Sequence, residues 1–168
     1  MKIMFDTCAL ITLLDRNRNH HGLLQSCFAH WQKREDIVLL VSAIALSEFA
    51  VMNSPEAVMT QLPIEILNFD ALHALTAADF KKAYLPDQTL RDEQCPRKVI
   101  INDLQIMSQA SVEQVDFILT SDEKFYKRAK RIRDDGKMST ETVLIDEEMP
   151  RILGIPMTQD TFFNTLGM

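Results

Sequence analysis

The chain has 168 residues, 46% hydrophobic and 25% charged, which suits one domain with a core of its own and argues against disorder or low complexity. Its formal net charge of −6 argues against a protein that grips nucleic acid through a broadly basic surface; such a role needs local basic patches or bound metal ions. The 3 cysteines, Cys8, Cys27 and Cys95, are odd in number and lack Cys-x-x-Cys spacing, so they predict neither a disulfide framework nor a zinc site, but small buried hydrophobes in a reducing compartment.

Lys2 to Phe5 is short and apolar and predicts a buried first strand. It runs into Asp6, so no signal-peptide core forms. Leu10, Leu13 and Leu14 have helical spacing, and Leu24, Cys27, Phe28 and Trp31 follow at i, i+3, i+4 and i+7. Ile37 to Val41 predicts a second strand, and Ser42 a cap for a helix reaching Met52, with Pro55 just past its end. This apolar stretch, Ile37 to Leu46, is too short to span a bilayer, so a soluble, cytoplasmic protein is expected.

Glu65 to Phe69 reads as a third strand. Ala71 to Tyr84 reads as a helix with His73 and Asp79 outside the core. Residues 86–96 are polar and bounded by prolines, which predicts a loop. Val99 to Val112 is helical, Val115 to Thr120 a strand, Lys124 to Arg133 a basic helix, and Thr142 to Ile145 an edge strand. Strands alternating with helices specify an α/β domain with a mostly parallel, roughly five-stranded sheet in a three-layer α/β/α arrangement. One domain over residues 1–150 is expected. Residues 151–168 read as an extension docked through Phe162, Phe163 and Leu166.

Three acids stand where acids are costly. Asp6 is the only charged residue from Ile3 to Leu14, Glu48 the only one from Ile37 to Pro55, and Asp103 the only one from Val99 to Val112. Glu48 shares a helical face with Ile44, Val51 and Met52, and Asp103 with Ile100, Met107 and Ala110, so both are expected to point inward or to a cleft rim. A buried carboxylate needs a cation, hydrogen bonds or a metal, and no Lys or Arg lies in those runs. Asp122 follows a predicted strand as Asp6 does, and ligands of open parallel sheets bind at carboxyl ends of strands. Asp6 and Asp122 are also placed to cap the helices that follow them. Carboxylates without neighbouring His or Cys suit Mg²⁺ or Mn²⁺, which activate water and stabilise a phosphorane. Thr7, Asn102, Thr120 and Ser121 flank the acids and are placed to orient them.

Taken in order, the strand ending in Asp6-Thr7, Ser42 six residues before Glu48, Asn102-Asp103 in a later helix, and Thr120-x-Asp122-x-x-Phe125 resemble the PIN-domain ribonucleases, in particular VapC-like toxins of toxin–antitoxin modules. The resemblance covers roughly residues 1–145. It implies a Rossmann-like fold and a metal-dependent endoribonuclease. In it, Mg²⁺ or Mn²⁺ is held by the residues matching Asp6, Glu48, Asp103 and Asp122. It also implies frequent homodimers and, for the toxin branch, an antitoxin whose C-terminal segment blocks the active site. RNA as substrate comes from the resemblance; spacing alone reaches a carboxylate metal site.

Lys124, Lys127, Arg128, Lys130, Arg131 and Arg133 form either a phosphate-guiding surface beside Asp122 or a solvated helix face. Lys98, with Arg97, starts the helix carrying Asp103 and could reach substrate phosphate. His20, His21 and His30 read as surface or half-buried residues. With 4 glycines there is no Gly-rich phosphate loop. Two other readings compete. One is a phosphotransfer domain, for which Asp70 speaks but the missing second Asp after strand one does not. The other is a non-cleaving PIN-like scaffold binding RNA or protein, against which the retained acids argue.

Overall fold

Five short strands pair side by side, all parallel, in the order β3-β2-β1-β4-β5. They are β1 (Lys2–Phe5), β2 (Val38–Ser42), β3 (Glu65–Leu67), β4 (Phe117–Thr120) and β5 (Glu141–Leu144) in a computed structural model that describes residues 1–85 and 97–156. β1, β2 and β4 are apolar nearly throughout and mostly buried, as a sheet covered on both faces requires, whereas the edge strand β3 is not fully buried at any residue.

The helices that flank the sheet are α1 (Thr7–Leu14), α2 (His21–Trp31), α3 (Ala43–Met52), α4 (Glu56–Thr60), α5 (Ala71–Tyr84), α6 (Arg97–Val112), α7 (Glu123–Asp134) and α8 (Met149–Ile152). The result is the three-layer α/β/α fold expected from the sequence. The α2 stripe is buried whole, and Phe28 and Trp31 meet Phe5 edge-on at centroid distances of 6.0 and 6.3 Å.

Several expectations change in detail. β3 stops at Leu67, because Asp70 is recruited to cap α5 and the chain must turn before it. β4 starts two residues later than expected, at Phe117. The short helices α4 and α8 were not expected. His73, expected outside the core, is buried: its Nδ1 accepts the Asp70 amide (3.1 Å) and its Nε2 lies 3.2 Å from Glu113. That closes a capping box, so a polar residue is buried without losing its partners. Leu153 and Ile155 of the C-terminal stretch are buried. The expected loop over 86–96, Cys95, and the docking of Phe162, Phe163 and Leu166 lie outside the described residues.

Strand order places the site. From β1 the chain steps outward to β2 and β3, then returns to the other side of β1 for β4 and β5. The crevice between the carboxyl ends of β1 and β4 is therefore the switch point where open α/β sheets bind ligands. Phe5 pairs with both Val41 and Leu119, so Asp6 emerges level with Ser42 and Thr120. Its amide is tied to the Leu119 carbonyl at 3.2 Å.

Candidate active site

Asp6 leaves β1 in extended conformation and caps α1: one carboxylate oxygen accepts the Ala9 amide at 2.6 Å. The other accepts the Thr120 hydroxyl, also at 2.6 Å. Thr120 Oγ1 in turn accepts the Asp122 amide at 2.9 Å, which fixes the turn leaving β4. Asp122 caps α7, taking the Lys124 amide at 2.7 Å and the Phe125 amide at 3.3 Å on one oxygen. Both acids thus serve as caps and stand at the switch point at the same time.

The other two acids come from helices. Glu48, half-buried on α3, accepts Thr7 Oγ1 at 2.6 Å on one oxygen and Asn102 Nδ2 at 2.5 Å on the other. Asp103 is buried on α6 beside Ile100, Met107 and Ala110. The face expected for Glu48 is only partly inward: Ala45 and Phe49 are the buried residues of α3, while Val51 and Met52 are 76% and 86% exposed.

Asp6 and Asp103 sense the acids around them. Burial, with repulsion from Asp103 and Asp122, pushes the Asp6 carboxyl up to about 7 against the pull of Thr120 and Ala9. Burial likewise raises Asp103 to about 6, with Asp122 and Glu48 adding to it, although Arg128 opposes the rise. The half-buried Cys8 thiol is pushed up to about 12 by burial and by Asp6, Asp122 and Asp103. This is a pocket short of positive charge. Its donors are oxygens alone, which fits a hard divalent cation. The fit is chemical and not yet geometric: among the described residues no group of three His, Cys, Asp or Glu is gathered so as to hold a metal ion.

The residues expected to support the acids divide. Thr7, Asn102 and Thr120 each touch one. Ser121 is exposed and lies 3.4 Å from Thr12 Oγ1. There the crevice widens into an open hollow of about 580 Å³ whose rim carries Arg18, His20 and Asp146. Lys98, Lys124 and Lys127 are exposed, and Lys127 pairs with Glu123 at 3.3 Å.

Arg128 is a correction. Expected on a phosphate-guiding surface or a solvated helix face, it is 4% exposed and forms an ion pair with Asp103. The signal was present in the sequence: Phe125, Arg128, Ala129 and Ile132 occupy i, i+3, i+4 and i+7, and all four are buried. The cation missing from the acid-bearing runs comes from a different helix. Asp70, the residue favouring a phosphotransfer domain, is occupied capping α5.

Fold and site define a Rossmann-like α/β domain with Asp6 and Asp122 at its switch point and Asp103 within electrostatic reach of Asp6. The chain belongs to the PIN domain family, whose sequence profile matches residues 3–131. Similar solved structures include VapBC2 from Rickettsia felis bound to a DNA fragment from its promoter. It shows 18% identity over 86% of this chain and 98% of that one, with a TM-score of 0.56. VapC20 of Mycobacterium tuberculosis, a toxin that cleaves the sarcin-ricin loop, matches with 14% identity over 83% and 98% and a TM-score of 0.54. DNA-bound VapBC from Salmonella typhimurium matches with 17% identity over 87% and 99% and a TM-score of 0.55. At these identities the likeness is one of fold. No curated protein matches the chain in sequence.

Proposed function

We propose that the chain is a metal-dependent endoribonuclease and the toxin half of a toxin–antitoxin pair. The observation that carries this reading is the placing of Asp6 and Asp122 at the switch point, each held by hydrogen bonds, with the buried Asp103 near enough for its charge to act on Asp6. Asp6, Glu48, Asp103 and Asp122 are the residues that would hold Mg²⁺ or Mn²⁺. Such an ion, when bound, supplies the positive charge that acidifies water and offsets the charge gathering on a phosphodiester. The protein's own part is orientation. Thr120 and the Ala9 amide hold Asp6, Thr7 and Asn102 hold Glu48, and the α7 amides hold Asp122.

The partners follow from the same reading. The neighbours from Rickettsia felis and Salmonella typhimurium are toxin–antitoxin complexes, and an antitoxin segment supplying a cation to the acids would silence this site. Val51, Met52 and Met59, exposed at 76%, 86% and 61% on α3 and α4, suit a homodimer contact. Among the described residues no helix is long and apolar enough to cross a membrane.

The test is cleavage of a mixed RNA pool by wild type and Asp6→Asn, with Mg²⁺, Mn²⁺ or EDTA. Asn caps a helix as well as Asp, so the variant keeps its fold. Metal-dependent cleavage lost in Asp6→Asn is expected. Equal cleavage by both proteins, or none under any condition, would refute the reading.

A further inference from the structure

Next to Asp122 lies the open hollow of about 580 Å³, within the roughly 300–1,000 Å³ of ordinary ligand sites. Thr12 and Ser121 line it and tie it to the acids. Thr12 is on α1, the helix that Asp6 caps, and Ser121 stands between Asp122 and Thr120, which donates to Asp6. The two hydroxyl oxygens are 3.4 Å apart. A chain whose phosphodiester lies at the acids must run out of the crevice, and this hollow adjoins it.

Another wall of the hollow is the turn between α1 and α2, which supplies Asn17, Arg18, Asn19 and His20. The turn is fixed from within. The Asn17 amide and side chain donate to Asp15 Oδ1 at 3.0 and 3.1 Å, and the Arg18 amide donates to the Asp15 carbonyl at 3.1 Å. The side chains it presents are far less engaged. Arg18 is 57% exposed, and its ion pair with Asp15 is long, at 3.6 Å. The Asn19 side chain makes no hydrogen bond among the described residues. The charge of Arg18 also reaches Cys8, on which Asp6, Asp122 and Asp103 act, so the guanidinium and the acids share one field.

The lining is mixed in a way that suits a nucleotide. A guanidinium keeps its charge and takes phosphate through several donors. An amide both donates and accepts, as base edges do. Two acids also line the hollow. Glu123 is paired with Lys127 at 3.3 Å, and Asp146 accepts the Glu148 and Met149 amides at 2.9 and 3.2 Å. Acids repel phosphate but accept from the amino groups of bases, which leaves Arg18 as the phosphate contact. The half-buried Leu144 gives a base an apolar wall. We infer that this hollow holds the nucleotide of single-stranded RNA next to the scissile phosphate, with Arg18 binding its phosphate and Asn19 selecting its base. The inference takes its substrate from the ribonuclease reading above and deepens it. Arg18 is thereby a positioning residue and Asn19 a specificity residue.

The experiment measures binding of short single-stranded RNAs of varied sequence by fluorescence anisotropy against salt, in an Asp6→Asn background so that RNA is not cut. Arg18→Gln, Asn19→Ala and, as a control on the same turn but outside the hollow, Arg16→Gln are compared. All three positions are exposed, so the fold is kept. Arg18→Gln should weaken binding to every sequence alike and make the salt slope shallower by about 0.7. Asn19→Ala should keep the slope and lower the preference among bases by about tenfold. Arg16→Gln should do neither. Arg18→Gln or Asn19→Ala binding as Arg16→Gln does would overturn the inference, and so would an RNA affinity too weak to measure. Cleavage by the same variants with Asp6 restored separates the two readings. Cutting by wild type, with Arg18→Gln and Asn19→Ala indistinguishable from Arg16→Gln, removes this subsite and leaves the nuclease. Binding that depends on Arg18 and Asn19 in a protein that never cuts removes the nuclease and leaves the nucleotide site.

Discussion

Thr120→Val isolates the hydrogen bond on which Asp6 depends. Thr120 is fully buried at the end of β4, and Val is the β-branched residue of nearest shape for a strand, so the change removes a hydroxyl and little else. Two bonds go: the 2.6 Å donation to Asp6 and the 2.9 Å acceptance from the Asp122 amide. A hydrogen bond to a charged group contributes about 1.5–3 kcal/mol, a neutral one about 1 kcal/mol. The cost should therefore depend on whether Asp6 is ionised. Its folded carboxyl titrates at about 7 and its ordinary value is 3.8, so in metal-free protein it is protonated at pH 5 and ionised at pH 8. Between those values the folded state binds more protons than the unfolded one, and the Asp6 contribution to stability falls as pH rises. A tenfold change in proton affinity corresponds to about 1.4 kcal/mol, which sets an upper bound of a few kcal/mol for wild type across that window. Thr120 draws the Asp6 value downward, so losing it steepens the fall. Urea unfolding in EDTA should show Thr120→Val destabilised by about 2.5–4 kcal/mol at pH 8 and by about 2 kcal/mol at pH 5. Equal losses at the two pH values would show that Asp6 is not the buried anion described here.

Asn102→Ala should release one oxygen of Glu48 and lower cleavage by about 10–100-fold, with the melting temperature in EDTA little changed; an unaltered rate would show that Glu48 needs no such support. RNA affinity of Asp6→Asn, measured by fluorescence anisotropy against salt, should show a shallow slope of about −2 or less, given about −0.7 per phosphate neutralised on a single strand. Arg128 is buried, and Lys127, Arg131 and Arg133 are paired with Glu123, Asp135 and Glu141, so a slope of about −5 would mean those pairs open to grip the backbone.

Most of the sheet was legible because its strands are short apolar runs punctuated by capping residues. Asp6, Ser42 and Asp122 mark three helix starts in the sequence, and all three cap in the structure. Local pattern was weaker where a contact is distant in sequence. His73 reads as polar and outside, but Glu113, 40 residues away, gives its buried ring a partner. Val51 and Met52 read as inward because they share a period with Glu48, whereas α3 buries Ala45 and Phe49. Arg128 was hidden by its neighbours: in a run of basic residues its charge looks like surface, and only the period shared with Phe125 and Ile132 separates it.

The site is built in two halves held by different forces. Asp6 and Asp122 are set by strand register, through Thr120 and the Leu119 carbonyl, and can move only if the sheet moves. Glu48 and Asp103 ride on α3 and α6, whose relative position is set by packing and by a buried polar chain. Ser42, the α3 cap, donates to Gln109 on α6, and Gln109 donates to the Leu67 carbonyl at the end of β3 at 3.1 Å. A fully buried glutamine with both ends engaged resists sliding of either helix, since any shift strands a polar group in the core. Arg128 adds a second tie, from α7 to α6, at Asp103 itself. The helix half is thus pinned from both β3 and α7. Under the metal-nuclease reading, an ion would have charge to offset in a frame already held by hydrogen bonds and the Arg128–Asp103 pair.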